Sequence, residues 1–298
     1  MSDDKTPIHK AVSRAYTTAL ERSRGEGGGC CGGAAPKPRA TFEIQQPCCG
    51  PPAAAAHPAR VASEAAGYSA DEVARHADAA RSSFGCGNPL AFAGVEPGQT
   101  VLDLGAGAGL DLLIAADKVG PTGKVIGVDM TDAMLEAARD NATRAGKAEI
   151  IDVRKGQIEA LPVADASVDW VISNCVINLS PDKPAVFREL ARVLKPGGRF
   201  SVSDIVAETL PADVKASAEA YSACIGGAIS EGDYVAGLEA AGLVEVEVTE
   251  RYVYDLTQLR GLVGRDLEDE AAARDTLVSS LAAIEGQVWS AKVTGRRA

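Results

Sequence analysis

From about Thr100 onward, short apolar runs of strand length alternate with segments whose apolar residues recur at helical spacing. VLDLGAG predicts a first strand, LDLLIAADKVG a helix ended by Gly120-Pro121, and KVIGVDM a second strand. DAMLEAARDNATRAG predicts a helix stopped at Gly146, and AEIIDVRKG a third strand. VDWVISNCVINL is an apolar run of the kind carried by a strand buried on both faces. DKPAVFRELARVL then reads as a helix closed by Lys195-Pro196-Gly197-Gly198, and RFSVSDIVA as a fifth strand. A helical excursion follows in DVKASAEAYSACIGGA and EGDYVAGLEAAGL. VEVEVTERYVYDL alternates with period two, an acidic helical region spans about 265 to 285, and QVWSAKVTG is a last strand. No internal repeat is evident. The alternation is that of a parallel sheet covered by helices.

Ahead of this region, residues 5 to 23 predict a short amphipathic helix with Val12, Tyr16, Ala19 and Leu20 on one side. Gly25 to Arg60 is dominated by Gly, Pro and Ala and lacks the apolar periodicity that would offset the entropy of ordering. It is expected to be a flexible segment carrying two vicinal pairs, Cys30-Cys31 and Cys48-Cys49.

Composition narrows the function classes. The chain has 298 residues, 46% hydrophobic and 24% charged, with a formal net charge of −11. Clustered Lys and Arg are what phosphate binding needs, so neither nucleic acid nor an anionic membrane is an expected partner. No run of 18 apolar residues exists to span a bilayer, and the polar, acidic start does not fit a secretory signal, so a cytoplasmic protein is expected. Seven cysteines stand beside only three histidines: Cys30, Cys31, Cys48, Cys49, Cys86, Cys175 and Cys224. A reducing cytosol disfavours a disulfide framework, and the absence of C-x2-C repeats disfavours ordinary zinc.

The first strand runs into Asp103-Leu104-Gly105-Ala106-Gly107-Ala108-Gly109 and then a helix. Glycines there permit a sharp turn and close approach of a ligand to the main chain. The third glycine follows the second by two residues rather than the three of G-x-G-x-x-G, and Asp103 precedes the loop. A carboxylate repels a pyrophosphate but can pair with a cationic amine, so the spacing points to a nucleoside carrying an amino acid rather than to NAD. Asp129 ends the second strand where a carboxylate can bond both ribose hydroxyls.

DLGAGAG with GVDM downstream resembles the S-adenosylmethionine-dependent class I methyltransferases, over roughly residues 98 to 205. The resemblance implies an α/β fold of Rossmann-like type: a seven-stranded, mostly parallel sheet with helices on both faces, plus a C-terminal α+β extension. It implies S-adenosylmethionine as cofactor. Asp103, Gly105, Ala106, Gly107 and Gly109 would hold its methionine part, and Asp129 with Met130 its ribose. Gln157, Ile158 and Glu159 would line the adenine, with Asn174 at the pocket wall. Gln157 stands where many members carry Asp. Phe84 is either a lid over the methionine side or plain core.

The remaining cysteines bear on the methyl acceptor. In an open parallel sheet ligands sit beyond the carboxyl ends of the strands, and Cys175 is predicted at such an end. Gly neighbours of Cys86 and Cys224 suit close backbone approach. Three thiolates meeting there would favour a soft ion, and trivalent arsenic fits three sulfurs better than tetrahedral zinc does. Each could instead be a small buried hydrophobe. GCGNPL, GPTGKVIGVDMT, IEALPV, VISNCVINLSPDK, VLKPGGR, CIGGA and VWSAKVTGRR resemble the arsenite methyltransferase family across most of residues 84 to 295.

That resemblance implies Cys86, Cys175 and Cys224 as both As(III) ligands and catalytic residues, with arsenite presented as a thiol complex and glutathione or thioredoxin as reductant. The N-terminal cysteine pairs would then deliver arsenic or take part in thiol–disulfide steps, or be exposed thiols without a role. The implied organisation is a helix over 1–24, the flexible segment 25–60, a methyl-donor core 61–210, and an arsenic-binding excursion with C-terminal strands over 211–298. Two rival readings keep the fold. One is a methyltransferase acting on carbon or oxygen of a quinone-like small molecule; the other is a non-catalytic metalloid-binding protein.

Overall fold

A computed structural model describes residues 7–25, 67–83, 85, 87–89, 94–263 and 279–298. Cys30, Cys31, Cys48, Cys49, Phe84, Cys86 and the acidic stretch 264–278 lie outside the described residues.

Five strands follow one another through the core: β1 (Thr100–Leu104), β2 (Lys124–Asp129), β3 (Ile151–Lys155), β4 (Val168–Asn174) and β5 (Leu194–Ala207). They are joined by α4 (Leu110–Val119), α5 (Asp132–Arg144) and α6 (Lys183–Val193). Two further strands, β6 (Leu243–Val253) and β7 (Val288–Arg297), complete a seven-stranded sheet of order β3-β2-β1-β4-β5-β7-β6. Pairing is parallel from β3 through β5 and antiparallel where β7 meets β5 and β6. The two C-terminal strands therefore belong to the main sheet rather than to a separate extension.

Alternate residues of one strand feed opposite layers, as a pleated strand requires. Leu102 and Leu104 of β1 join Val171, Val186, Leu190 and Phe200 in one core. Val101 joins Val125, Trp170 and Ile172 against Leu112, Leu113 and Ala116 of α4 in the other. Close helix–sheet contact depends on Gly127, where a Cβ would meet Leu112 Cδ1 at 2.7 Å. The strand order reverses between β1 and β4, and crevices at such switch points hold ligands.

Three local outcomes differ from the sequence pattern. The apolar run VDWVISNCVINL is not one strand: β4 ends at Asn174, Cys175 takes φ +55°, and Ile177–Leu179 form a 3-10 turn. Left-handed φ at a residue with a Cβ breaks a strand. β5 starts at Leu194, immediately after α6, and takes Lys195-Pro196-Gly197-Gly198 into its irregular first residues. An unforeseen helix, α10 (Leu256–Val263), follows β6. Its signal is a reciprocal cap, with the Gln258 amide N–H on Asp255 Oδ1 at 2.8 Å and the Asp255 N–H on Gln258 Oε1 at 2.9 Å.

The predicted N-terminal helix forms as α1 (Pro7–Gly25). It lies across the carboxyl ends of the strands rather than beside the sheet edge. Leu20 packs on Ala108, Met134 and Ala137, and Val12 joins the cluster that contains Cys175 and Cys224. Short helices α2 (Ala70–Arg75) and α3 (Ala77–Ala80) precede the sheet, and α7 (Ala212–Ala216), α8 (Ala218–Ser222) and α9 (Glu231–Ala240) form the excursion after β5.

Candidate active site

A cleft of about 920 Å³, open to solvent at its mouth, lies over the β1/β4 switch point. Its floor is the glycine loop. Gly105, Gly107 and Gly109 have φ of +68°, +51° and +90°, values that only glycine takes readily. A Cβ on Gly105 would overlap the Val176 side chain, and one on Gly109 would press on Ala138 Cβ at 3.3 Å. The N–H groups of Gly105 and Ala106 donate to the Val128 carbonyl at 2.8 and 3.1 Å, tying the loop to the end of β2.

Asp129 stands at the cleft wall with Met130 beside it. Its carboxylate accepts the N–H of Gly107 at 3.0 Å and that of Thr131 at 2.8 Å. Burial nevertheless raises its pKa. Gln157, Ile158 and Glu159 line the opposite end, and Asn174 and Cys175 line the β4 side. Asp103 does not line the cleft. It is buried behind the loop, where Oδ2 has no hydrogen-bond partner.

A carboxylate that the sequence did not single out, Asp111 at the start of α4, faces the cleft instead. Tyr68 Oη donates to its two oxygens at 2.9 and 3.0 Å, and Asn174 Nδ2 donates at 3.3 Å. Burial pushes the Asp111 carboxyl up to about 6. Burial, Asp111 and Asp129 together push Asp103 well above the ordinary carboxylate range. Three crowded carboxyls around a glycine cradle are the chemistry of a cation-binding pocket with room for an uncharged base and sugar. An α-amino group and a sulfonium carry that charge, so the residues present fit S-adenosylmethionine.

One prediction follows from the orphaned carboxyl. Asp103→Asn removes the cost of burying a carboxyl beside Asp111 and Asp129, so it raises the Tm of the free protein at pH 7.5. Because Asp103 does not line the cleft, the Tm increase that saturating S-adenosylhomocysteine produces stays the same. Differential scanning fluorimetry with and without that ligand checks both halves.

The thiols come next. Cys224 turns at φ +63° after α8, fully buried, and its Sγ–H donates to the Cys175 carbonyl at 2.7 Å. Burial and the Asp204 carboxyl raise the Cys224 thiol, so it holds its proton at neutral pH. Cys175 is disulfide-bonded, against the expectation of free thiols throughout. Gly85 and Gly87, the described neighbours of Cys86, lie on Asn174 and Ser203, with the Gly87 N–H donating to Asn174 Oδ1 at 3.1 Å. Among the described residues no three His, Cys, Asp or Glu side chains converge as an ion site. The trio predicted from sequence includes Cys86, outside that set.

Behind Cys224 stands Asp204, which sequence reasoning missed. It accepts the Asn178 N–H at 3.1 Å and the Ile205 N–H at 2.9 Å, and burial pushes it up to about 7. The Asn178 side chain donates onward to the Cys224 carbonyl at 3.1 Å. No sequence signal marks Asp204, because its environment is assembled from the 3-10 turn, α6 and α9.

A family model described as a methyltransferase domain matches residues 95–252. The chain is 51% identical over 187 residues to the arsenite methyltransferase of Halobacterium salinarum, covering 62% of this chain and 48% of that protein. It is 38% identical over 114 residues to a 2-phytyl-1,4-naphtoquinone methyltransferase of Synechococcus elongatus, covering 38% of this chain and 49% of that one. The chain thus spans about half the length of the curated relatives it matches. A solved arsenic(III) S-adenosylmethionine methyltransferase from Chlamydomonas reinhardtii superposes with TM-score 0.57 at 33% identity, covering 80% of this chain and 73% of that one. The chain belongs to the methyltransferase-domain family and, within the S-adenosylmethionine-dependent fold, to the arsenite methyltransferase group.

Proposed function

We propose that the protein methylates As(III), drawing the methyl group from S-adenosylmethionine and releasing S-adenosylhomocysteine, as a detoxifying enzyme of the reducing cytosol. The observation that carries this reading is the pairing of Cys175, on the wall of the donor cleft, with Cys224, whose sulfur rests on the Cys175 carbonyl. A quinone-like acceptor would need no such pair. The bound donor would supply an electrophilic methyl carbon on a sulfonium; the protein's sulfurs would hold arsenic with its lone pair toward that carbon, so that the donor would leave as the neutral thioether and the positive charge would pass to arsenic. The protein's part is to fix arsenic by its sulfurs at the cleft wall, which removes much of the entropic barrier.

Arsenite is presented as a thiol complex. Each As–S bond formed to the protein displaces one small-molecule thiolate, which leaves as the free thiol with the cysteine's proton. Cys86, Cys175 and Cys224 are the proposed ligands, acting as the catalytic residues. Thiolate ligation needs Cys175 in its reduced form, a part that falls to glutathione or thioredoxin in this reading. The proposed organisation keeps four parts: helix 1–24, the cysteine-pair segment 25–60, the donor core 61–210, and the acceptor half 211–298.

Equilibrium dialysis with arsenite, run without methyl donor, tests the site. The reduced protein is expected to retain one arsenic per chain, and the protein not treated with reductant much less. Cys224→Ser retains little. Equal retention by wild type and Cys224→Ser would overturn the ligand assignment.

A further inference from the structure

Helix α1 brings a histidine into the donor cleft. His9 lines the cleft at the end where Gln157 and Glu159 stand, and it is largely buried there. Its Nε2 lies 3.1 Å from Glu159 Oε1, and its Nδ1 lies 3.1 Å from Gln157 Nε2. A single tautomer satisfies both contacts. Gln157 Nε2 is a donor only, so Nδ1 must be the bare nitrogen, and Nε2–H then donates to the Glu159 carboxylate. The same Glu159 oxygen also accepts the Ser180 hydroxyl, whose oxygen in turn accepts the Asp182 N–H at 3.1 Å.

The arrangement fixes what this end of the cleft can offer a ligand. One N–H of the Gln157 amide donates to His9, which stops the amide turning over and leaves its carbonyl oxygen as the acceptor at this end of the cleft. Glu159 is likewise an acceptor. Two acceptors suit an exocyclic amine and oppose a carbonyl at the same position. Gln157 alone would not discriminate, because a free amide can turn and present its NH2 group instead.

We infer that His9, on a helix outside the sheet, is a positioning residue that locks the Gln157 amide as an acceptor and so makes the cleft select adenine over a 6-oxopurine. This rests on the cleft being the S-adenosylmethionine site, and not on the identity of the methyl acceptor. His9 acts through Gln157 and carries no part of the transfer chemistry. The aliphatic contacts of α1, Leu20 on Met134 and Val12 beside Cys175, hold the helix in place independently of it.

The test compares binding of S-adenosylhomocysteine with that of its deaminated analogue, S-inosylhomocysteine, by titration calorimetry of the full chain without arsenite. Wild type is expected to prefer the adenine compound by roughly tenfold or more, the scale set by one acceptor facing a mismatched carbonyl. His9→Phe fills the space without a hydrogen bond and should bring the two affinities within about threefold of each other. His9→Gln, which can accept from Gln157 and donate to Glu159, should restore most of the preference. Gln157→Leu should lose it as well, and the double variant should lose no more than either alone.

A His9→Phe protein that binds both compounds more weakly at an unchanged ratio would show His9 to be packing only and overturn the inference. Should His9→Phe fail to fold, an undiminished preference in Gln157→Leu would do the same. Failure of wild type to bind either compound would instead strike at the donor site itself.

Discussion

Cys224→Ser is expected to lower arsenite methylation by at least about 10²-fold, since a misplaced or unheld nucleophile forfeits its orientation, while leaving S-adenosylhomocysteine affinity within about twofold. The split is the informative part. Cys224 is not on the cleft wall, so the donor does not meet it. A serine hydroxyl can still donate to the Cys175 carbonyl, which keeps the left-handed turn at residue 224 supported. What serine lacks is a polarizable sulfur for a thiophilic ion. Cys175→Ser is expected to fall as far in activity and also to abolish the disulfide. Because Cys175 lines the cleft, some change in donor KM accompanies it. A quinone-type methyltransferase would keep its activity in both variants.

The second large effect concerns the glycine loop. Gly105→Ala places a Cβ at φ +68° and drives it into Val176. The backbone alone costs about 1–2 kcal/mol. Relief of the overlap must move Val176, which is bonded to Cys175, so donor and acceptor walls shift together. We expect donor affinity to fall by at least about tenfold, the equivalent of 1.4 kcal/mol, with a lower Tm. Gly120→Ala is the control. Gly120 also has positive φ, +64°, but a Cβ there meets nothing within 4 Å. It should lower Tm by a few degrees and leave donor affinity unchanged. Equal losses of affinity in the two variants would mean that the loop contributes flexibility alone rather than a fitted cradle.

What the sequence made legible has a physical pattern. Strands β1, β2 and β4 and their helices were readable because a doubly covered sheet demands continuous apolar runs and periodic helices. Asp129 and the three loop glycines were readable because a strand followed at once by glycine and helix restricts where a ligand can sit. Legibility stopped where a residue's role depends on remote partners. Asp111 differs from any helix-start Asp through Tyr68 and Asn174, 43 and 63 residues away. Asp204 became a buried carboxyl because the 3-10 turn bends back over it, and that turn exists because Cys175 breaks the strand. His9 sits on an unremarkable amphipathic helix, and its contacts with Gln157 and Glu159 span 148 and 150 residues. Of the three thiols singled out in the sequence, Cys175 and Cys224 lie near each other, the Cys224 sulfur on the Cys175 carbonyl, and Cys86 lies outside the described residues.

Acid–base behaviour separates the two halves of the site. Asp111 and Asp204 are held near 6 and 7, above the ordinary value of 3.8, so the folded chain keeps protons that the unfolded chain sheds above about pH 4. The stability they carry is complete below that pH and is lost as pH rises through 6 and 7. A cation bound at Asp111 would restore that half near neutrality, whereas Asp204 responds through Lys183 and the Cys224 thiol.

The central claim is tested most directly by arsenic speciation of a reaction containing the reduced protein, arsenite, S-adenosylmethionine and glutathione or thioredoxin. The account predicts methylated arsenicals, with one S-adenosylhomocysteine formed for every methyl group found on arsenic. Arsenite recovered unmethylated from a protein that binds S-adenosylhomocysteine would contradict it.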